Sequence, residues 1–300
     1  MSITSVSRQL GYSKQAYYKS KTNRQKKACY HTMAKEKVLA VRKQLPRLGT
    51  RKLYHLLAGD FKKEHIAVGR DKLFSILREE ELLIVKKKRY TKTTDSRHWM
   101  HKYPNLIKGL QPVSPEQIWV ADITWLNIKN DYCYLHLITD AYSKKIMGYE
   151  LSNNLAAAST IKALQVALKN RRYTTPLIHH SDRGLQYCSA GYTKLLTDNK
   201  IDISMTQDGN PYDNAIAERV NGILKDEFGL DDTFENMEQV RGETKQSIEL
   251  YNKARPHLSN SMLTPDKMHK QNKLKPRAWH KKTTRTLEGS CGFLPSLPHS

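Results

Sequence analysis

The sequence predicts an α/β protein. A mixed five-stranded sheet with flanking helices is preceded by a small all-α region. Three observations carry this expectation. Residues 118–151 form a β-rich run broken only by short polar turns. The following segments alternate between amphipathic helix and short apolar strand up to residue 257. The charge balance also changes sharply near residue 112: residues 1–112 hold 27 basic and 8 acidic side chains, whereas residues 113–266 hold 16 and 20.

The elements follow in order. TSVSRQLGYSKQAYYKSK (4–21) reads as two short helical pieces around Gly11, with Ser13 as N-cap of the second. Residues 33–45 form another helix. LGTRKLYHLLAGD (48–60) has Thr50 as its cap and puts Leu53, Leu56 and Leu57 on one face. VGRDKLFSILREEELLIVKKKR (68–89) repeats that scheme with Leu73, Ile76 and Leu77 inward. These two basic helices make a helix-turn-helix-like DNA-binding region within residues 1–90, and Arg51, Lys52, Arg70 and Lys72 are its candidate DNA contacts. A basic linker follows over 91–112, then a core over 113–270 and a basic tail over 271–300.

Within the core, IWVADITWLNI (118–128) is the first strand, and YCYLHLITDAYSKKIMGYEL (132–151) supplies two more with a break near Ser143 and Lys144. Residues 154–173 form an amphipathic helix, with Ile161, Leu164, Ala167 and Leu168 spaced for one face. TPLIHHSD is a fourth strand, SAGYTKLLTDNK a short helix and IDISMT a fifth strand. DNAIAERVNGILKDEFG (213–229) is a helix capped by Asp213 or Asn214, and 234–257 is a further long helix. The order β-β-β-α-β-α-β-α extends a meander by crossover units.

The whole chain carries a net charge of +22, concentrated in its two ends. That pattern suits a polyanion, because each cation placed on a phosphate releases condensed counterions. No apolar run is long enough to cross a bilayer and the N-terminus has no apolar signal region, so a cytoplasmic, nucleoid-associated protein is expected. Cys29, Cys133, Cys188 and Cys291 lie far apart, with neither zinc-site spacing nor a disulfide framework.

Asp122 sits in the middle of an apolar strand, where an ionised carboxylate is costly unless paired or bound to a metal. The fourth strand ends on Asp182, and in this topology strands one and four are adjacent and parallel. Glu218 lies on a helix whose polar side also carries Asn214, Asn221 and Lys225, opposite Ile216, Val220, Ile223 and Leu224. Three convergent carboxylates repel one another, and divalent cations relieve that repulsion. All-oxygen ligands select hard ions, so Mg²⁺ or Mn²⁺ is expected, two ions in all, serving phosphoryl transfer.

WVADITWL, HHSDRGLQYCS and DGNPYDNAIAERVNGILKDE resemble the D,D-35-E pattern of bacterial insertion-sequence transposases. The match is to the second-frame (OrfB) product of the IS-three family, akin to the retroviral integrase core. Asp122, Asp182 and Glu218 fall on its three acidic positions, with 35 residues between the last two, and Lys225 falls where the family carries a basic residue. YNKARPHLSNSMLTPDKM (251–268) resembles the family's closing segment, and residues 46–84 its upstream helix-turn-helix. The resemblance implies an RNase H-like core, and metal-dependent cleavage and strand transfer at the three acids. It implies DNA partners, both terminal inverted repeats and target, and assembly as a homo-oligomer on DNA. It also implies a first-frame (OrfA) partner or fusion, whose long coiled coil has no counterpart here. Asn214, Asn221, Lys225, Arg255 and His257 are expected at the DNA. His180 is expected to shape the strand end and not to bind metal. Two other readings remain open: a non-catalytic DNA-binding regulator or inhibitor, and an RNase H-like nuclease that hydrolyses without joining.

Overall fold

The computed structural model describes residues 3–85, 100–207 and 214–274. Residues 91–99 of the expected linker, the tail beyond 274, Asp213 and Cys291 lie outside them.

Helix α1 (Ile3–Gln9) turns at Gly11 into α2 (Lys14–Arg42). The Ser13 hydroxyl caps α2, accepting from the Ala16 N–H at 3.0 Å. The expected break between residues 21 and 33 does not occur. No proline or glycine interrupts 14–42, so nothing stops the helix. Its C-terminal half buries Ala34 and Val38 against α3 (Thr50–Lys63) and α4 (Arg70–Glu79). In α3 the buried stripe is Leu53, Leu57 and Phe61, one i, i+4 row, and Leu56 faces solvent instead of the core. Gly49 takes the cap position and Thr50 is the first helical residue, a shift of one from the expectation. Leu73, Ile76 and Leu77 of α4 are fully buried, each burial contributing roughly 1.5–3 kcal/mol.

The core begins with the antiparallel meander β1 (Ile118–Ile128), β2 (Asp131–Asp140) and β3 (Ile146–Ser152). Helix α5 (Ala157–Asn170) crosses to β4 (Ile178–Ser181). Helices α6 (Leu185–Cys188) and α7 (Ala190–Asp198) then lead to β5 (Asp202–Met205). Next come α8 (Ala215–Phe228), β6 (Thr233–Phe234), α9 (Met237–Lys253) and α10 (Pro265–His269). The strand order is β3-β2-β1-β4-β5, with β4 parallel to β1 and to β5. The sheet has six strands, not five, because β6 pairs with Asn127 and Ile128 at the far end of β1. Two residues carry no readable periodicity, which is why β6 escapes a sequence reading.

Helices cover both faces of this sheet. On one, Leu126, Leu135 and Leu137 pack with Val220 and Leu224 of α8 and Tyr251 of α9. On the other, Trp119 and Ile138 pack with Leu164 and Ala167 of α5 and Tyr192 and Leu196 of α7. Gly148 lets α5 lie directly on β3: a Cβ there would collide with the Ala163 carbonyl and stand 2.5 Å from the Ala167 nitrogen. Helix α8 ends at Gly229, whose φ of 79° is the left-handed stop that glycine accepts readily.

Two buried ionic clusters tie distant segments together. Glu116 and Asp140, both fully buried, bracket His269 of α10, with Glu116 Oε1 3.1 Å from Nε2 and Asp140 Oδ1 3.6 Å from Nδ1. Burial opposes a charge on His269, but hydrogen bonding to Asp140 and Glu116 more than offsets it and its pKa ends up raised. The second cluster joins the N-terminal helices to the core. Glu227 of α8 accepts from Lys52 of α3 at 2.9 Å and from both ends of the Arg255 fork at 2.7 and 2.8 Å. Among the described residues no helix is long and apolar enough to cross a membrane.

Candidate active site

The parallel register of β1 and β4 pairs Val120 with His180. Two residues further along each chain stand Asp122 and Asp182. The topology therefore brings these two carboxylates level on neighbouring strands, at the end where β4 stops. The Gly184 N–H donates to Asp182 Oδ1 at 3.0 Å, closing a tight turn that holds the carboxylate. A Cβ on Gly184 would stand 3.1 Å from that same oxygen, so the turn suits a glycine.

Helix α8 lies against β1 with its asparagines inward. Asn214 Nδ2 donates to the Ala121 carbonyl at 3.1 Å, and Asn221 Nδ2 donates to Asp122 Oδ2 at 2.7 Å. Glu218 lies between them in sequence, on the exposed edge of the helix. All three acids interact. Burial first, then the Asp182 carboxylate and to a smaller extent Glu218, push the Asp122 pKa up to about 7, against the pull of the Asn221 amide. Among the described residues no trio of His, Cys, Asp or Glu is gathered tightly enough to hold a metal as it stands.

Beneath this edge, the two histidines of β4 are packed side chains. His179 Nε2 meets the Tyr192 hydroxyl at 2.9 Å, and burial lowers the pKa of His179 to about 3. His180 is fully buried with Nδ1 2.8 Å from Ser204 Oγ. Both bonds tie β4 to its neighbours.

An integrase core domain family matches residues 112–211, and a second integrase core family matches 199–265. An uncharacterized 31 kDa protein of insertion element IS600 from Shigella sonnei is 36% identical over 219 residues, covering 72% of this chain and 79% of that protein. Transposase InsF of insertion sequence IS3A from Escherichia coli K12 is 31% identical, over 65% of this chain and 69% of its own length. The chain belongs to the IS3 family of transposases. Among solved structures, the HTLV-2 integrase catalytic core domain in complex with magnesium aligns with a TM-score of 0.43 and 21% identity, over 52% of this chain and 97% of that one.

The basic residues expected at the DNA divide into two groups in this transposase. Arg51, Arg70 and Lys72 are exposed on α3 and α4, Arg70 sharing its charge with Asp71 at 2.8 Å. Lys225 lies over the Trp125 ring, 4.7 Å from its centroid and only partly buried. The other five expected contacts are buried or half-buried. Lys52 and Arg255 are buried in the Glu227 cluster, where their charges balance an internal carboxylate. Asn214 and Asn221 are buried against β1, one holding its backbone and the other Asp122. His257 is half-buried, its Nδ1 2.9 Å from Ser259 Oγ, and burial followed by Arg255 lowers its pKa strongly. The positioning role of Asn221 is the residue function that sequence reading missed. Its only signal was a polar side chain three positions beyond Glu218, on the side of α8 that meets β1.

Proposed function

We propose that Asp122, Asp182 and Glu218 form the catalytic trio of this insertion-sequence transposase, cutting DNA and joining strands by phosphoryl transfer. The observation that carries this reading is the parallel register of β1 and β4, which sets Asp122 and Asp182 level where β4 stops, with α8 held against Asp122 by Asn221. Like charges clustered at an open sheet edge destabilise an idle fold. They suit a site completed by a cation.

The donor set fits a hard divalent ion, because every group is a carboxylate oxygen. Asp122, Asp182 and Glu218 would hold Mg²⁺ or Mn²⁺, two ions in this reading, and the bound metal supplies positive charge at the attacking and leaving oxygens of the phosphoryl group. The protein's own groups prepare the site. The Asn221 amide fixes one oxygen of Asp122, and the Gly184 N–H fixes one oxygen of Asp182. Lys225, steered by Trp125, is placed to meet a DNA phosphate. The exposed cations Arg51, Arg70 and Lys72 of α3 and α4 give the terminal inverted repeats their docking surface, and target DNA meets the core. Two DNA ends call for at least two copies of the chain, with a first-frame product as a further partner.

The deciding experiment is strand joining with DNA ends taken from the flanks of the gene, in Mg²⁺ or Mn²⁺, for wild type and Glu218→Gln. Joined products from the wild type alone support the assignment. Equal joining by both proteins removes Glu218 from the site, and nicking without joining moves the reading to a nuclease.

A further inference from the structure

Helix α8 has a second functional side. A cavity of about 580 Å³ lies beside it, between the helix, Ala141 and Lys144 just after β2, residues 110–113 and the turn at 255–259. Val113, Ile216, Ile223 and Leu258 make part of its wall apolar. Lys52, Lys144, Arg219 and Arg255 line the rest, and among the described residues no carboxylate does. Glu227 sits behind the wall and balances only one of the two cations that it touches.

Burial leaves its mark on two of the cavity's cations. Lys144, whose ammonium donates to the Ala141 carbonyl, has its pKa lowered to about 8 by burial, against the attraction of Asp140. Lys52 is also lowered to about 8, by burial and then by Arg255. His257 adds a donor: its Nε2 is buried and among the described residues has no hydrogen-bond partner. When the Ser259 hydroxyl donates to Nδ1, the neutral ring carries its proton on that Nε2.

An anion is the missing complement, and the apolar wall asks for more than an inorganic one. The volume is in the range of small-ligand sites and too small for a duplex. Arg219 follows Glu218 directly in sequence, so the cavity opens one residue away from the third acid of the trio. We infer that this cavity receives one unpaired nucleotide of the DNA strand being processed, its phosphate against Arg219 and Lys144 and its base against the Val113 and Ile223 wall. The inference rests on the reading of the chain as a DNA-joining enzyme. Bases at a separated strand end are the least costly to take out of the stack.

The test uses the full chain, a fluorescein-labelled short oligothymidylate and a blunt duplex. Arg219→Ala removes the phosphate contact, and Val113→Trp fills the apolar side. Each variant is expected to weaken oligothymidylate binding about tenfold, the loss of one charge-assisted contact or of the base's space, with duplex binding changed less than about twofold. Unchanged oligothymidylate binding in both variants overturns the inference. So does an equal loss for both forms of DNA, which reports only general attraction. A thermal melt identifies any variant that fails to fold, and if Val113→Trp does so, Arg219→Ala decides. The strand-joining assay with Glu218→Gln reads the trio separately. A wild type that binds oligothymidylate selectively but never joins DNA retains the cavity and loses the transposase reading of the trio. A wild type that joins DNA while both variants bind normally does the reverse.

Discussion

Of the three carboxylates on helix α8, Glu218 and Glu227 have opposite surroundings. Near Glu218 the charged neighbours of Asp122 are other acids, and after burial they help raise its pKa to about 7. Around Glu227 the neighbours are Lys52 and Arg255. Burial pushes the Glu227 pKa up, but the Arg255 hydrogen bonds and both positive charges more than reverse it. Both clusters lie against the same apolar helix. The balanced one joins two parts of the fold. The unbalanced one is stable only at the expense of the fold, which is the physical mark of a site built for something added later.

The contrast makes four predictions, taken from the largest effect down. Asp122→Asn or Glu218→Gln is expected to lower strand joining at least about a thousandfold, the worth of several kcal/mol of charge stabilisation, without lowering the melting temperature. A fall in both would mean that the trio is structural. Glu227→Gln should act in reverse. It leaves two buried cations facing each other and costs about 3–5 kcal/mol in denaturant unfolding, with joining retained wherever the chain remains folded. Asn221→Ala is intermediate. It frees Asp122 and is expected to weaken apparent metal affinity roughly 10–100-fold in a Mn²⁺ titration of activity, with little change in stability.

The smallest effect concerns pH, and its sign differs between the clusters. Asp122 titrates near 7 when folded, against 3.8 ordinarily, so its protonated form is favoured by folding. That contribution is lost as pH rises from about 4 to about 7, and the melting temperature of metal-free wild type should drop relative to Asp122→Asn over that window. Glu227 is depressed below 4.5, so its contribution is present above that value and fades as pH falls. The gap between wild type and Glu227→Gln should accordingly close in acid. Parallel trends for both variants would erase the contrast.

The sequence could reveal one cluster and not the other for a physical reason. Asp122 and Asp182 betray themselves locally, as carboxylates in or at the end of apolar strands, and the β-β-β-α-β order places those strands side by side. The Glu227 cluster joins residues 175 and 28 positions apart, and none of its members looks unusual in its own segment. Lys52 and Arg255 therefore read as surface cations until the packing is known. Helix continuity behaved similarly. The strong stripes of α3 and α4 are legible, but the first half of α2 has no apolar face, and only the absence of a breaker keeps it helical. The inward turn of Asn221 depends on how α8 is rolled on β1, which spacing alone leaves open by a residue or two.

The His269 cluster has a consequence for how the protein is made. Glu116 stands just before the strand that bears Asp122, yet its hydrogen-bonded histidine lies 153 residues later in the chain. On the ribosome the first core strand is complete long before its neutralising partner emerges. Until then Glu116 has the Arg172 and Tyr173 N–H groups and Asp140 has Ser143, but the imidazole between the two carboxylates is missing. The last described helix thus completes a cluster that begins just before the first core strand. A nascent chain stalled before residue 265 would hold the strand that bears Asp122 in a core still lacking His269.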